Sequence, residues 1–388
     1  MPRWFNISGH CQADIHYMLA PSGRLPDLKQ LIEQRNYFVI HAPRQTGKTT
    51  AMISLAEELT SSGRYAAVMV SVEVGSAYND DPGAAEIAIL PTWRDTIEDT
   101  LPQDLQPPTW NYPEPGQRIR ASLRAWAQNC KRPVVLLIDE IDSLENETLI
   151  SFLRQLREGY RGRPKNFPQS IGLIGLRDVR DYKYASGGSE TVAGVGLGSG
   201  KLLNPKGERL NTSSPFNIKV GSFTLRNFNA AEVAQLYQQH TDDTGQVFTK
   251  EASALAFDLT QGQPWLVNAL AKEIVEKMVK DRSITITHEH ILKAKEILIA
   301  RKDTHLDSLA ERLQEPRVQA IIEPMLAGLE LGNVPPDDIQ FVLDLGLCTI
   351  DPQGGLRIAN PIYREILPRV LTITPMASLP HISPTWLK

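Results

Sequence analysis

Over the first 225 positions, short apolar runs alternate with amphipathic stretches. Tyr37–Ile40 (YFVI), Ala66–Val72 (AAVMVSV), Val134–Ile138 (VVLLI) and Ile171–Leu176 (IGLIGL) predict strands that are apolar on both faces, and Phe216–Phe223 predicts another. Between them, Leu25–Gln34, Thr50–Ser61, a stretch opening at Asp81–Pro82, Gln117–Asn129 and Leu144–Gly159 predict helices. Leu149, Leu153 and Leu156 share one face of the last of these. Leu101–Pro115, with prolines at 102, 107, 108, 113 and 115, predicts a loop, and the Gly/Ser-rich Ser186–Ser214 predicts a mobile one. Strand alternating with helix argues for an α/β fold, a parallel sheet covered on both faces.

From Asn229 the pattern turns helical. Asn229 with Glu232 has the form of a capping box, and helices are expected over Ala230–His240, Lys250–Leu259, Trp265–Lys280 and His288–Arg301. The end changes again. Arg317–Leu329 and Asp337–Leu345 predict helices. Leu347–Ile350, Asp351–Gly355 and Leu356–Ala359 predict strand, turn and strand, and Asn360–Pro361 opens a last helix. The expected division is 1–225 as core, 226–302 as a helical domain, 303–372 as a small winged-helix-like unit and 373–388 as a loose tail.

Composition narrows the classes. The chain is 41% apolar and 22% charged, enough to bury a core, and its net charge of −4 leaves any nucleic-acid surface to a local patch. Cys11, Cys130 and Cys348 lie far apart, which suits a reducing compartment and neither a disulfide framework nor a zinc cluster. The first residues lack the charged-then-apolar pattern of a signal peptide, and no apolar run is long enough to span a bilayer. The expected location is the cytoplasm, with no membrane partner.

Two segments carry the chemistry. His41-Ala42-Pro43-Arg44-Gln45-Thr46-Gly47-Lys48-Thr49-Thr50 follows a strand and opens a helix, the context of a phosphate-binding loop. Backbone N–H groups from Ala42 to Thr50 would wrap the β- and γ-phosphates of ATP at a helix N-terminus. Lys48 would neutralise phosphate charge and the Thr49 hydroxyl would ligate Mg²⁺. Ala42 stands where this motif has its first glycine, which requires a negative φ there. Downstream, the strand Val134–Ile138 ends in Asp139-Glu140-Ile141-Asp142. Asp139 would hold Mg²⁺, and Glu140 would orient and polarise an attacking water. The adjacent Glu points to hydrolysis rather than to a kinase. Asp142 is equally readable as a helix cap.

Weaker signals stay open between two readings. Gly23-Arg24 is a plain turn or, as in families it resembles, an element near the adenine. Arg177, after a strand, senses the γ-phosphate or lies on the surface. Gly262-Gln263-Pro264 separates two helices and also suits nucleotide sensing. Arg154, Arg157, Arg161, Arg163 and Lys165, opposed only by Glu158, form a solvated helix face or meet a partner or nucleic acid. Arg301 and Arg312 are candidates for an arginine finger by position. His41 and Trp265 read as packing residues, and His288 with His290 lacks a third metal ligand.

On Gly23-Arg24, APRQTGKTT (42–50), VVLLIDEID (134–142), Arg177 and GQP (262–264), the chain resembles STAND-type or archaeal-ATPase-like P-loop ATPases of AAA-like type over about residues 15–370. It is also similar to origin-recognition-type AAA+ initiators. The resemblance implies a P-loop NTPase three-layer α/β/α fold with parallel sheet order 5-1-4-3-2, then a helical lid and a winged-helix-like domain. It implies a slow ATP-hydrolysing switch with ATP and Mg²⁺ as cofactors, Arg24 and Pro264 near the nucleotide, and Lys48, Glu140 and Arg177 in catalysis. It further implies self-association. The expected role is a switch acting on a protein partner in stress or phage defence, with a DNA-binding initiator or transposition-type ATPase as the alternative.

Overall fold

The computed structural model describes residues 3–20, 23–25, 27–176, 219–301 and 312–378. The expected apolar runs become β1 (Tyr37–His41), β2 (Ala66–Ser71), β3 (Val134–Asp139), β4 (Ser170–Gly175) and β5 (Lys219–Thr224). They form one parallel sheet in the order β2-β3-β4-β1-β5, the expected 5-1-4-3-2 order read from its other edge. This is a P-loop NTPase α/β fold.

The apolar runs are continuous because both faces are covered. Along β1 and β3, Tyr37, Val39, Val134, Leu136 and Ile138 join one buried cluster, while Phe38, Ile40, Val135 and Leu137 join another. Alternate side chains of a strand point to opposite faces, so each run feeds two cores. The first cluster takes in α3 (Pro82–Thr100), α4 (Arg118–Asn129) and α5 (Asn146–Gly159); the second takes in α1 (Leu28–Glu33) and α2 (Lys48–Ser61). Leu136 and Leu137 are fully buried, and truncating either to Ala would cost about 2–5 kcal/mol.

Helix ends follow local chemistry. Asp81 caps α3 by accepting from the Ala84 N–H, with Pro82 at the first helical position, and Pro91 does not stop the helix. α2 begins at Lys48, two residues before the expected start, so Lys48 and Thr49 lie in its first turn. α5 begins only at Asn146, after a short 3₁₀ turn over Ile141–Ser143.

The chain divides into two compact units. One contains 20–42 and 48–225; the other contains 1–19, 43–47 and 226 onward. The first 19 residues therefore group with the C-terminal elements, not with the core as the expected 1–225 boundary had it. Within that second unit, Phe5 and Tyr17 pack with Tyr237, His240 and Phe248, and Arg3 pairs with Asp243. A hydrophobic and aromatic cluster of this size holds the N-terminal segment in place.

The helices of this unit are α6 (Ala230–Thr244), α7 (Lys250–Thr260), α8 (Pro264–Lys272) and α9 (His288–Arg301). α6 carries the expected capping box, with Asn229 accepting from the Glu232 N–H and Glu232 from the Asn229 N–H. α8 passes into a wider π-type turn over Glu273–Met278, closed by Val279 N–H to Ile274 O. Then follow α10 (Pro316–Ala327), α11 (Pro336–Asp344), the hairpin β6 (Cys348–Ile350) and β7 (Leu356–Ile358), and α12 (Pro361–Ser378). The helix continues to Ser378, so the stretch expected to be loose from Thr372 is helical as far as that residue. The expected loop Ser186–Ser214 lies outside the described residues, as do Arg177 and the start of the expected Phe216–Phe223 strand. Among the described residues no helix is long and apolar enough to cross a membrane.

Candidate functional site

The site begins where β1 ends. Ala42 is buried, and its N–H donates to Gly175 O at 3.4 Å. Its φ is not positive, so a Cβ is tolerated where the motif has glycine. The left-handed positions of the loop fall instead on Gln45 (φ 59) and Gly47 (φ 82), and the second is the glycine that the GKT sequence retains. Thr46 is buried and donates to Pro43 O at 2.9 Å, which ties the loop across its base. Arg44 and Gln45 are exposed, and Gly47, Lys48, Thr49 and Thr50 are half-buried. Because α2 starts at Lys48, the first-turn N–H groups lack partners inside the helix and present a partial positive charge.

Lys48 Nζ donates to Ala42 O at 2.7 Å, folding the ammonium back over the loop. Thr49 Oγ1 donates to Asp139 Oδ2 at 2.8 Å, while Asp139 Oδ1 accepts from the Glu140 N–H at 2.9 Å. The two sequence motifs, ninety residues apart in the chain, thus meet through one hydrogen bond. Burial pushes the Asp139 carboxyl above the usual carboxylate range. Its bonds to Thr49 and the Glu140 N–H and the charge of Lys48 oppose that shift.

Glu140 has φ 59, left-handed for a residue with a side chain. Such backbone costs of order 1–3 kcal/mol and is concentrated at functional positions. Its carboxylate accepts from Ser71 Oγ at 2.5 Å. An ionised carboxylate only accepts, so Ser71 is the donor, and its Oγ in turn accepts from the Glu73 N–H at 3.0 Å. The end of β2 is held in turn by Trp93 Nε1, which donates to Ser71 O at 2.7 Å, and by Val72 N–H to Asp139 O at 3.2 Å. Burial pushes the Glu140 carboxyl up and neighbouring Glu73 adds to this, while the Ser71 bond pulls it down. Sequence reasoning missed Ser71. The signal available was a polar residue closing an otherwise apolar strand.

The remaining candidates are placed as follows. Asp142 lies in the 3₁₀ turn and does not cap α5, whose N-cap is Glu145. Arg24 is buried at 8% exposure. Arg177 lies outside the described residues. Pro264 is the buried first residue of α8. Its neighbour Gln263 caps that helix by accepting from the Leu266 N–H, and its Nε2 lies 3.5 Å from Gln45 O within the same compact unit. Gly262 has φ +69, and a Cβ there would stand 1.8 Å from Phe228 O, so the close turn requires glycine. Arg301 pairs with Glu273 and Arg312 with Glu315. His41 lies 3.3 Å from Thr224 Oγ1, Trp265 donates to Ile7 O, and His290 Nδ1 accepts from the Thr287 N–H, all packing or capping contacts. The described residues contain no group of three or more His, Cys, Asp or Glu suited to a metal.

Residues 31–182 match the family model described as AAA domain. The AAA match takes in the phosphate loop, Ser71, Asp139, Glu140 and Arg177, and with the sheet order it supports an AAA-type P-loop ATPase. No curated protein matches the chain. Two similar solved structures are the Walker-type ATPase PABY2304 of Pyrococcus abyssi and ORC2 of Aeropyrum pernix in its ADPNP–ADP complexes. The first has a TM-score of 0.60 at 11% identity and covers 94% of this chain and 99% of that one. The second has a TM-score of 0.51 at 14% identity and covers 96% of this chain and 97% of that one. At these identities the likeness is of fold.

Proposed function

We propose that the chain is an ATP-binding and ATP-hydrolysing molecular switch of AAA-like, STAND type that regulates a protein partner in the cytoplasm. The observation carrying this reading is the pair of bonds at adjacent strand ends, Thr49 to Asp139 and Ser71 to Glu140. The backbone from Ala42 to Thr50 cradles the phosphates of ATP. Lys48 leaves the Ala42 carbonyl to meet the γ-phosphate. Thr49 and Asp139 suit Mg²⁺, since a hydroxyl and a buried carboxylate are hard oxygen donors and the carboxylate lacks a full counter-charge. The bound ion would offset negative charge on the β- and γ-phosphates.

Glu140 orients a water, accepts its proton and leaves the oxygen to attack the γ-phosphorus. The bond to the β-phosphate oxygen breaks, giving ADP and inorganic phosphate. Arg177 would stabilise the transferring group, and Arg24 and Pro264 would lie near the nucleotide. The 226–302 helices act as lid and 303–372 as a winged-helix-like unit, with helix, helix, hairpin and helix in that order. Stress or phage defence is the setting proposed with the STAND type.

ATP turnover of wild type, Lys48→Ala and Glu140→Gln, measured with and without duplex DNA and with light scattering for assembly, tests the proposal. Turnover that needs both residues and ignores DNA is the expected result. Normal turnover by Glu140→Gln would refute the mechanism. The order of the C-terminal elements favours a second reading, a DNA-binding initiator or transposition-type ATPase, for which DNA would stimulate turnover or assembly.

A further inference from the structure

The α5 row that was basic in sequence is sorted by the fold. Arg163 is taken out of it, since its guanidinium lies 3.2 Å from the Tyr160 ring centroid and donates to Tyr160 O at 2.6 Å. Glu158, the one acid between Arg154 and Lys165, pairs with Arg120 of α4 at 3.4 Å. Arg154 and Arg157 stand at i and i+3 on the exposed face of α5, Arg161 is exposed in the 3₁₀ turn (Tyr160–Gly162) that follows it, and Arg124 stands one turn beyond Arg120 on α4. Arg124, Arg154, Arg157, Arg161 and Lys165 are all exposed, and among the described residues none has an ion-pair partner.

We propose that this shared face of α4 and α5 binds the phosphate backbone of a nucleic acid. Concentrated positive charge on a chain of net charge −4 calls for a polyanion. Two features favour phosphates over an acidic protein. The centre of a protein interface is apolar, and none of the exposed large hydrophobic residues described lies on α4 or α5. Four of the five free cations are arginines, whose planar fork matches phosphate oxygens in pairs. A step of three or four residues along α5 advances about 5 Å, so the row meets successive charges of a backbone.

The face lies apart from the nucleotide site. Asp139 closes the carboxyl end of β3, whereas the last turn of α5 leads to Ser170, the first residue of β4. The inference thus stands independently of ATP hydrolysis and of the C-terminal elements, and each can fail without the other.

The test is fluorescence anisotropy of the full chain with a labelled 30-bp duplex DNA of arbitrary sequence and with an RNA duplex of equal length, across a salt series. Four or five phosphate contacts predict a slope of log affinity against log salt near −4, and a loss of roughly 250-fold between 50 and 200 mM. The triple variant Arg154→Gln/Arg157→Gln/Arg161→Gln should bind at least tenfold more weakly at low salt and flatten the slope by about 3, with ATP turnover and melting temperature unchanged. Glu158→Gln should tighten binding severalfold, a gain that misfolding does not produce. Stronger binding of either duplex supports the proposal and tells DNA from RNA. Absence of salt-sensitive binding, a triple variant equal to wild type, or equal displacement by poly-glutamate at matched charge would overturn it.

Discussion

Ser71 Oγ lies 2.5 Å from Glu140 Oε2, so the residue that closes β2 holds the carboxylate that follows β3. The consecutive strands β2 and β3 are parallel neighbours here, with Ser71 paired to Asp139 in register. Removing the hydroxyl frees the Glu140 side chain and takes away a bond that stabilises its charged form. Ser71→Ala should lower kcat about tenfold with KM for ATP unchanged, short of the 10²-fold or greater loss expected when the base itself is removed. A steady-state ATPase assay separates the two constants, and a change confined to KM would count against a positioning role.

Asp139→Asn keeps an oxygen for Thr49 but loses the charge suited to Mg²⁺. The Mg²⁺ concentration for half-maximal turnover should rise tenfold or more, while the melting temperature without nucleotide stays level or rises, because a buried charge has been removed. Magnesium titration of both proteins checks this.

The C-terminal unit should lose stability on mild acidification. His240 is 1% exposed, with Nε2 3.0 Å from Gln246 Oε1 and 3.2 Å from Arg282 Nη1. Burial lowers its pKa below the model-peptide value of 6.5, Arg282 lowers it further, and the Gln246 bond and Asp243 oppose. Burial lowers His16 in the same way. With a depressed folded pKa, the unfolded chain binds protons first as pH falls, so stability is full above pH 6.5 and declines below it. A melting series from pH 7.5 to 5 should show a falling midpoint, less steep in His240→Gln.

Gly262→Ala should destabilise the protein by at least about 1 kcal/mol, since a left-handed φ and a Cβ 1.8 Å from Phe228 O are both unfavourable. Calorimetry should show a midpoint several degrees lower, with the Gln263 cap and its approach to Gln45 displaced. A midpoint equal to wild type would mean that the Phe228 turn yields easily.

The sequence by itself determined the local elements and the chemistry of the two motifs. Runs such as VVLLI, short, rich in β-branched residues and preceded by Pro133, favour a strand buried on both faces, and a strand–APRQTGKTT–helix order is the context of a phosphate loop. The Asn229 capping box was legible because both partners lie within four residues. Tertiary structure decided what depends on contacts distant in the chain. It brought Ser71 to Glu140 and Thr49 to Asp139, and drew Phe5 and Tyr17 onto Tyr237 and His240. It also separated Arg163, stacked on Tyr160, from the free arginines beside it. Periodicity records which face of an element is apolar but not which other element covers it. That choice rests on strand order and packing across the whole chain.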